Sequence, residues 1–403
     1  MEKSKRINES SLSIGAACVF AYFFNYCARN LLNVCTPAMV QSGQFTEEFL
    51  ASVSSAYLLI YAAGQLINGI VGERIRAKYM VTFGIMTAGV VLVLFPLASS
   101  QALQVIMFGV LGFSLSMMRG PLVKTISENM PQEHARIACV CFSFVSFFGP
   151  FGASFLALIF KWNMAFVAAG VLCMVMGIII FLFFSVLEKK GAIKYNVIAN
   201  DDKPKNILGI FKLNKFAFYM IVGAIVEISS ASLNFWLPIF FTERLSYDNN
   251  TANVFFSVFA TLRACVPFLA LTLFRMFKAN DIRLVGVSLV VSATMFAAML
   301  FVPVEYKYLT IILFLLALMC ISCASAMLWS IYIPAQAESG YVSTINGVFD
   351  FTGYLAASGA NIAFSFIKSA FNWNGLIATW VGLMSIGVIA AVLQSVYSKR
   401  RAL

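Results

Sequence analysis

The sequence predicts an all-α integral membrane protein with twelve transmembrane helices. Its 403 residues are 61% hydrophobic and only 11% charged, whereas a soluble domain is about 25% charged. The apolar residues form continuous blocks of about 20 residues, the length that a helix needs to cross a hydrocarbon core. Strands of an outer-membrane barrel would instead show about ten residues of alternating polarity. Most of the surface is therefore expected to face lipid.

Twelve apolar blocks are bounded by charged or turn residues. The predicted spans are 12–38, 47–71, 79–98, 101–123, 137–160, 163–186, 214–241, 251–274, 283–303, 308–333, 342–367 and 372–396. The first span is much longer than the apolar region of a signal peptide, about 7–15 residues, and shows no cleavage pattern. We therefore expect it to remain in the protein as a membrane helix.

The 28 Lys and Arg residues distribute unequally between the two sides of the predicted membrane. With the N-terminus inside, 21 lie on the inner side and four on the outer side, namely Lys161, Arg244, Lys307 and Lys368. Cytoplasmic loops carry such an excess, which predicts an inner (plasma) membrane protein with both termini cytoplasmic. The net charge of +11 thus reflects topology. The lipid bilayer is an expected partner and nucleic acid is not.

Several functional classes lack the residue patterns that they require. The nine Cys residues are scattered through the apolar blocks and His134 is the single histidine, so neither a metal site nor a disulfide framework is predicted. The sequence has no GxxxxGK[ST] phosphate-binding loop of the kind that an ATP-driven pump uses, and no catalytic constellation. We expect no cofactor and no enzymatic activity, and an ion or exchange gradient as the driving force.

A polar stretch divides the predicted spans into two groups of six. Residues 188–213 are rich in Lys and are predicted to be a cytoplasmic central loop between an N-terminal half, 1–187, and a C-terminal half, 214–403. A faint repeat supports this division, because Asn33-x-x-x-Pro37 recurs as Asn234-x-x-x-Pro238 after 201 residues. Two such halves around a midplane site are typical of the major facilitator fold, which works by alternating access. A monomer is expected.

Five charged residues lie more than two positions inside the ends of the predicted spans: Arg29, Arg119, Glu227, Arg263 and Asp350. An ionised group at the centre of a membrane helix costs at least about 2.5 kcal/mol, so such residues normally face a water-filled cavity or a partner. Arg119 lies close enough to the cytoplasmic end of its span to reach the surface. Ion pairs that fix helix packing explain Asp350 and Arg263 equally well. We predict ion-coupling or gating roles for Glu227, Asp350 and Arg119.

Polar residues follow one face of the first span. Tyr26, Arg29 and Asn33 lie three or four residues apart and so on one side of a helix. The predicted substrate-binding residues share this polar character, although aromatic stripes more often serve packing: Tyr26, Arg29, Asn33, Tyr57, Tyr61, Gln65, Asn234 and Arg263. Because a guanidinium binds phosphate and carboxylate through two parallel hydrogen bonds, the predicted substrate is a small organic anion with Arg29 as its principal anchor.

The loop after the second span combines glycine, an acid and a basic cluster. It reads Gly69-Ile-Val-Gly72-Glu73-Arg74-Ile-Arg76-Ala-Lys78. This pattern, at this place, resembles the loop signature of the major facilitator superfamily. We therefore predict a gating role for Glu73 and Arg74, in a charged contact between helices at the cytoplasmic side. Ordinary positive-inside charge explains the basic residues of the loop equally well.

Four segments spread over the chain share a second pattern. They are Asn25-Tyr26-x-x-Arg29-Asn30, Arg119-Gly120-Pro121-Leu-Val-Lys124, Trp236-Leu-Pro238 and Ser343-Thr344-x-Asn346-Gly347-x-x-Asp350-Phe351-x-Gly353-Tyr354. Together they resemble the organophosphate:phosphate antiporters, the family of glycerol-3-phosphate and hexose-phosphate transporters. The resemblance implies that Arg29 binds phosphate. It is incomplete, because Gln65 lies where the family commonly has a lysine and Ser230 where it has a second arginine.

These observations predict a secondary active transporter of a sugar phosphate or polyol phosphate, by antiport with phosphate or coupled to protons. A proton-coupled carboxylate or hexuronate symporter is one alternative, since Glu227 and Asp350 could alternate between protonated and ionised forms. Multidrug efflux is another, because 40 Phe and 18 Met can form an adaptable apolar pocket. A third alternative is a membrane sensor that binds an anion without moving it.

Overall fold

The protein is built from α-helices, as the sequence predicts. The structure, a computed structural model, describes residues 2–194 and 207–402, and these residues contain no β-strand. The part of the predicted central loop that runs from 195 to 206 lies outside the described residues. The remainder of that loop contributes the end of one helix and a short 3₁₀-helix, Ile207–Lys212.

Twelve α-helices follow one another through the described part of the chain. They are α1 (Glu2–Gln41), α2 (Glu47–Val71), α3 (Ala77–Leu94), α4 (Gln101–Ser116), α5 (Arg119–Asn129), α6 (Gln132–Ile159), α7 (Trp162–Lys189), α8 (Phe216–Ile239), α9 (Asn249–Met276), α10 (Asp281–Met299), α11 (Lys307–Ala326) and α12 (Val342–Ala402). A π-helical turn, Phe240–Arg244, extends α8. Another π-helical turn, Met327–Tyr332, and a 3₁₀-helix, Pro334–Ser339, extend α11.

The helices account for the predicted spans with three differences in their continuity. Among the described residues, eleven stretches are long and apolar enough to cross a membrane. The predicted spans 342–367 and 372–396 belong to a single long helix, α12, but Asn372 leaves the helical region with φ 57° and ψ −161°. This residue divides α12 into two arms, which correspond to the two predicted spans.

Proline explains the other two differences. The predicted span 101–123 contains a break between α4 and α5, and Pro121 lies in the first turn of α5, where its missing N–H costs no helical hydrogen bond. The predicted span 308–333 changes to π-helical geometry after Ala326, before Pro334 begins the 3₁₀-helix. In both places a proline lies in the first turn of the new helical segment, where a backbone N–H is not needed.

The chain forms two compact units. The first contains Met1–Ile207 and Ile333–Phe351, and the second contains Leu208–Tyr332 and Thr352–Leu403. In the first unit α1 packs against α6, α2 against α4 and α3 against α7. In the second unit α11 packs against α10, α9 and α8. The segment Ile333–Phe351, which carries the beginning of α12, therefore belongs with the first unit.

Each unit has an aromatic core and close helix contacts. In the first, Phe95 stacks on Phe166 with ring centroids 5.0 Å apart. Gly89 and Gly170 let α3 and α7 touch, since a Cβ on either would lie 2.6 Å from the carbonyl oxygen of the other, and small residues are typical of such contacts in membranes. In the second, the indole N–H of Trp380 donates to Ser232 Oγ at 3.0 Å. Packing in these two cores fixes the positions of the helices that carry the polar residues.

Candidate functional site

The rotational setting of α1 is fixed by a buried amide. Asn25 is fully buried, and its side-chain nitrogen donates to the carbonyl oxygen of Leu115 at 2.9 Å and contacts Met118 Sδ at 3.2 Å. Both partners lie at the break between α4 and α5, where the helical hydrogen bonding of the chain is interrupted. A buried carbonyl needs a donor, and Asn25 supplies one. Arg29 follows one turn later on α1.

The Arg29 guanidinium lies among tyrosine rings of the first unit. Its Cζ is 5.5 Å from the ring centroid of Tyr26 and 4.8 Å from that of Tyr61, and Tyr57 stacks on Tyr61 at 5.6 Å. The structure thus brings together predicted residues of α1 and α2. A cation over an aromatic face is attracted by the ring quadrupole, so the rings orient the guanidinium without removing its charge.

A small cavity of about 140 Å³ adjoins Arg29. Its lining residues are Arg29, Asn30, Leu32, Asn33, Ser54, Tyr57, Leu58 and Phe108. Pockets for drug-sized ligands measure about 300–1,000 Å³, and a water needs at least about 10–15 Å³. The cavity therefore has room for several waters or for one anionic group. Asn33, predicted on the same stripe as Arg29, is exposed.

Arg119 and Asp350 form an ion pair inside the first unit. Arg119 Nη1 lies 2.7 Å from Asp350 Oδ1, and the two side chains are 18% and 5% exposed. Asn346 Nδ2 donates to the other carboxylate oxygen at 2.9 Å. Arg119 is thus directed to a buried acid and not to the membrane surface. Of the two interpretations that the sequence left open for Asp350, ion pairing describes its geometry.

The predicted gating loop contains a second charged contact. Glu73 Oε2 lies 2.9 Å from Lys124 Nζ on α5, and Glu73 Oε1 accepts from the backbone N–H of Thr344 at 2.9 Å, in the first turn of α12. A carboxylate is stabilised at a helix N-terminus. Arg74, which the sequence grouped with Glu73, is exposed and forms no ion pair with any described residue. Lys124 takes the basic role beside Glu73.

Two glycines bring α2 and α12 into backbone contact beside this charged cluster. A Cβ on Gly69 would lie 2.9 Å from Gly347 Cα and 2.9 Å from the carbonyl oxygen of Ser343, and a Cβ on Gly347 would overlap the carbonyl oxygen of Gln65. Gln65 itself is 1% exposed, and its side-chain nitrogen meets no hydrogen-bond partner among the described residues. It is not among the residues that line the Arg29 cavity.

The second unit holds the other embedded arginine in a polar cluster. Arg263 on α9 donates from Nε to Ser322 Oγ at 3.2 Å, from Nη1 to Asn234 Oδ1 at 3.1 Å and from Nη2 to Ser230 Oγ at 3.3 Å. The predicted residues Asn234 and Arg263 therefore meet. The roles of Ser230 and Ser322 were not predicted, although Ser230 precedes Asn234 by one helical turn, which could have indicated a shared face.

Glu227 lies on the same helix as Ser230 and is half-buried. It packs against Gly353 of α12, where an added Cβ would lie 2.7 Å from Glu227 Cγ. It acts electrostatically on Arg263 but is not one of its hydrogen-bond acceptors. Of the five predicted embedded charges, the structure therefore joins one pair, Arg119 and Asp350, directly.

Membrane-length apolar helices that hold arginine residues among aromatic and hydroxyl groups define a polytopic transport protein. The comparisons with known proteins agree with this class. A family model described as the Major Facilitator Superfamily matches residues 18–361. The chain belongs to the major facilitator superfamily, whose members are transporters and not enzymes.

Two curated relatives match parts of the chain. The glucose-6-phosphate exchanger SLC37A2 of Bos taurus is 28% identical over 145 residues, which cover 34% of this chain and 30% of that protein. The membrane sensor protein UhpC of Salmonella typhimurium is 28% identical over 79 residues, which cover 20% of this chain and 18% of that protein. The matches thus span less than a third of either relative. They are consistent with the resemblance to the organophosphate:phosphate antiporters.

Solved structures share the fold over nearly the whole chain. The transporter FucP in its outward conformation superposes with a TM-score of 0.72 at 12% identity, covering 96% of this chain and 99% of FucP. The human organic anion transporter MFSD10 superposes with a TM-score of 0.65 at 13% identity, covering 94% of this chain and 99% of MFSD10. At these identities the likeness describes the fold alone.

Proposed function

We propose that the protein is a secondary active transporter of a small organic anion, of the sugar-phosphate or polyol-phosphate type. The observation that carries this proposal is the position of the Arg29 guanidinium. Arg29 lies in the middle of a membrane-length helix, and its side chain lines a polar cavity. A fixed cation in a medium of low dielectric attracts an anion strongly. The planar guanidinium suits the two-point binding of phosphate or carboxylate. One of the two relatives is named as a glucose-6-phosphate exchanger.

The other residues of the proposed site have supporting roles. Tyr26 and Tyr61 orient Arg29 through their rings, and Tyr57 supports Tyr61 by stacking on it. Asn33 offers an amide to the hydroxyl groups of a sugar or polyol. Gln65 adds to the polar face of α2.

Alternating access would require contacts that open and close. The Glu73 contacts with Lys124 and Thr344 supply one such group at the predicted cytoplasmic side, and the Arg119–Asp350 pair supplies another. Arg74 would add positive charge to the first. Glu227 is the embedded acid outside that buried pair and suits proton coupling. Exchange for inorganic phosphate is the competing mode.

A sensor is the second candidate function. UhpC, which matches this chain in part, is described as a membrane sensor protein. A sensor would bind the same anion at Arg29 but would not move it across the bilayer. Binding and transport therefore have to be measured separately.

The test is counterflow in proteoliposomes with the full chain, using glucose 6-phosphate, glycerol 3-phosphate, inorganic phosphate and a hexuronate across a range of pH. We expect uptake of a phosphate ester by the wild type and loss of uptake in Arg29→Ala and Arg29→Lys, because lysine cannot form the two parallel hydrogen bonds. Arg283→Ala, which removes an exposed arginine, is the matched control. Normal uptake by Arg29→Ala would refute the anchor assignment.

The coupling mode follows from the same preparation. Exchange driven by internal phosphate and insensitive to an uncoupler indicates antiport, whereas uptake that collapses with an uncoupler indicates proton symport. Uptake of the hexuronate alone would favour the carboxylate alternative. Binding without counterflow would favour the sensor.

A further inference from the structure

The same sequence offset relates several residues of the first unit to residues of the second, and the packing of two glycines agrees with it. The sequence offset of 201 residues, which relates Asn33 to Asn234, also relates Gly152 to Gly353. In the first unit an added Cβ on Gly152 would lie 2.5 Å from Cys27 Sγ on α1, and in the second unit one on Gly353 would lie 2.7 Å from Glu227 Cγ on α8. Equivalent glycines thus pack against neighbouring positions of equivalent helices.

This register makes Ser230 the counterpart of Arg29. The sequence offers a hydroxyl there, but the structure places a guanidinium at the same point, because Arg263 Nη2 lies 3.3 Å from Ser230 Oγ. Arg263 belongs to α9 and not to α8. Each unit therefore has a guanidinium at or beside the repeat-equivalent positions 29 and 230, and the two units supply it from helices that are not equivalent, α1 and α9.

The surroundings of Arg263 position its charge without neutralising it. Its three hydrogen-bond acceptors among the described residues are two hydroxyls and an amide, all neutral. The described residues place no carboxylate within ion-pair distance of Arg263, whereas Arg119 has Asp350 at 2.7 Å. Glu227 attracts it only from farther along α8. An embedded cation in this situation needs an anion or water.

The cluster also faces an accessible space. Asn234 is exposed although it lies within a membrane-length stretch, Phe216–Arg244, and an amide is disfavoured against lipid. Pro238, four residues later, has no N–H to donate to the backbone carbonyl of Asn234. Pro37 has the same relation to Asn33. Each asparagine therefore has an exposed side-chain amide and a backbone carbonyl that cannot accept a hydrogen bond from the proline four residues later. One of these asparagines lies beside each guanidinium.

We propose that Arg263, with Ser230, Asn234 and Ser322, forms a second oxyanion-binding site of the transporter and replaces the arginine that is missing at position 230. Its ligand is a phosphate or carboxylate group of the transported anion, bound by the guanidinium and by the hydroxyl groups of the two serines. This proposal rests on the proposed function, since it assigns a second specificity-determining group to the same transport reaction.

A helix-swap experiment tests the proposal. The variants are Arg263→Ser, Ser230→Arg and the double variant Ser230→Arg/Arg263→Ser, which moves the guanidinium back onto α8. We measure displacement of radiolabelled glucose 6-phosphate from the full chain by inorganic phosphate and by a hexuronate, together with the melting temperature. We expect Arg263→Ser to weaken binding at least tenfold and the double variant to recover most of that loss. A purely packing role predicts that binding rises and falls with the melting temperature across the three variants, whereas a binding role predicts a loss of affinity at an unchanged melting temperature.

Arg263→Lys is a second variant that tests the site independently of whether Arg263→Ser folds. It keeps the charge but not the planar fork, so we expect a weaker affinity, about three- to tenfold, at an unchanged melting temperature. Arg283→Ser is the control that should bind normally. If Arg263→Lys and Arg263→Ser bind as the wild type does while Arg29→Ala does not, the second site is disproved and the proposed function stands. If Arg29→Ala also binds normally, or if no probe binds the wild type, both proposals fail.

Discussion

At the scale of single residues, the embedded arginines occupy three different electrostatic environments. Arg119 meets a carboxylate, Arg29 meets aromatic faces and Arg263 meets neutral oxygens. Truncating one partner of a buried ion pair is costly because the other charge stays buried. These environments favour a structural role for Arg119 and support the binding roles proposed for Arg29 and Arg263.

The Arg119–Asp350 pair gives a stability prediction. Arg119→Gln leaves the Asp350 carboxylate without its cation, so we expect the free energy of unfolding to fall by about 3–5 kcal/mol. The double variant Arg119→Gln/Asp350→Asn removes both charges and should recover most of the loss. Thermal unfolding in detergent, followed by tryptophan fluorescence, measures the change. A double variant no more stable than Arg119→Gln would contradict this account.

Sequence reasoning found some of these residues and missed their partners. The spacing of Tyr26, Arg29 and Asn33 identified the polar face of α1, because helical periodicity is local. The partner of Asp350 lies 231 residues away, and no periodicity relates positions so distant. For the same reason the sequence grouped Glu73 with its neighbour Arg74, although Lys124 makes the ion pair.

At the scale of helices, α2 and the first arm of α12 touch at two glycines, Gly69 and Gly347, which have no side chain to keep the backbones apart. Gly347→Ala would place a methyl group against the backbone carbonyl of Gln65, which cannot move as a flexible side chain does. Overpacking of this kind costs about 1–3 kcal/mol. We expect weaker contact between the two helices and slower transport. The control is Gly359→Ala, because an added Cβ there meets no atom within 4 Å.

Thiol accessibility measures the opening of this contact. Ser343 is fully buried, so Ser343→Cys should react slowly with a maleimide in the wild-type background. We expect faster reaction when Gly347→Ala is added and no change when Gly359→Ala is added. Equal rates in the three backgrounds would show that the glycine contact does not hold the helices together.

The start of α9 gives a prediction about pH. The Asp248 carboxylate accepts from the Thr251 hydroxyl at 2.6 Å and from its backbone N–H at 3.1 Å, and these hydrogen bonds lower the pKa of Asp248. A lowered pKa stabilises the helix start above the pKa of an unfolded aspartate, about 3.9, and the benefit is lost as pH falls through the folded pKa. Hydrogen exchange in the first turn of α9 should therefore quicken, after correction for intrinsic rates, as the pH falls below about 4.

Asp248→Asn is the matched variant for that measurement, because asparagine caps a helix but does not titrate in this range. We expect its protection at the first turn to be independent of pH. If the wild type and the variant respond alike, the carboxylate is not the origin of the effect.

The helices themselves were largely predictable, and their interruptions were not. Hydropathy located the spans because a bilayer requires about 20 apolar residues in each. It could not show that α4 ends before Pro121, or that α12 continues through Asn372 with one residue out of helical geometry. Such breaks depend on the hydrogen bonding of a few residues, which an average over a span does not record.

At the scale of the whole molecule, the distribution of positive charge predicts an orientation. We expect both termini in the cytoplasm, so Lys161→Cys and Ser246→Cys should react with a membrane-impermeant maleimide in intact cells. Lys278→Cys should react only after the membrane is opened. The background is Cys265→Ser, which removes the exposed native thiol. The opposite labelling pattern would reverse the proposed topology.

Arg263 reaches Ser230 from a different helix, α9, so a guanidinium lies beside position 230 although residue 230 itself is a serine. A comparison by sequence position alone would find only this serine at position 230 and would record no cation there. The guanidinium is nevertheless present at that point in space, supplied by a neighbouring helix. Relatives of this chain are therefore better grouped by the atoms that reach a given point than by the residue type in one column.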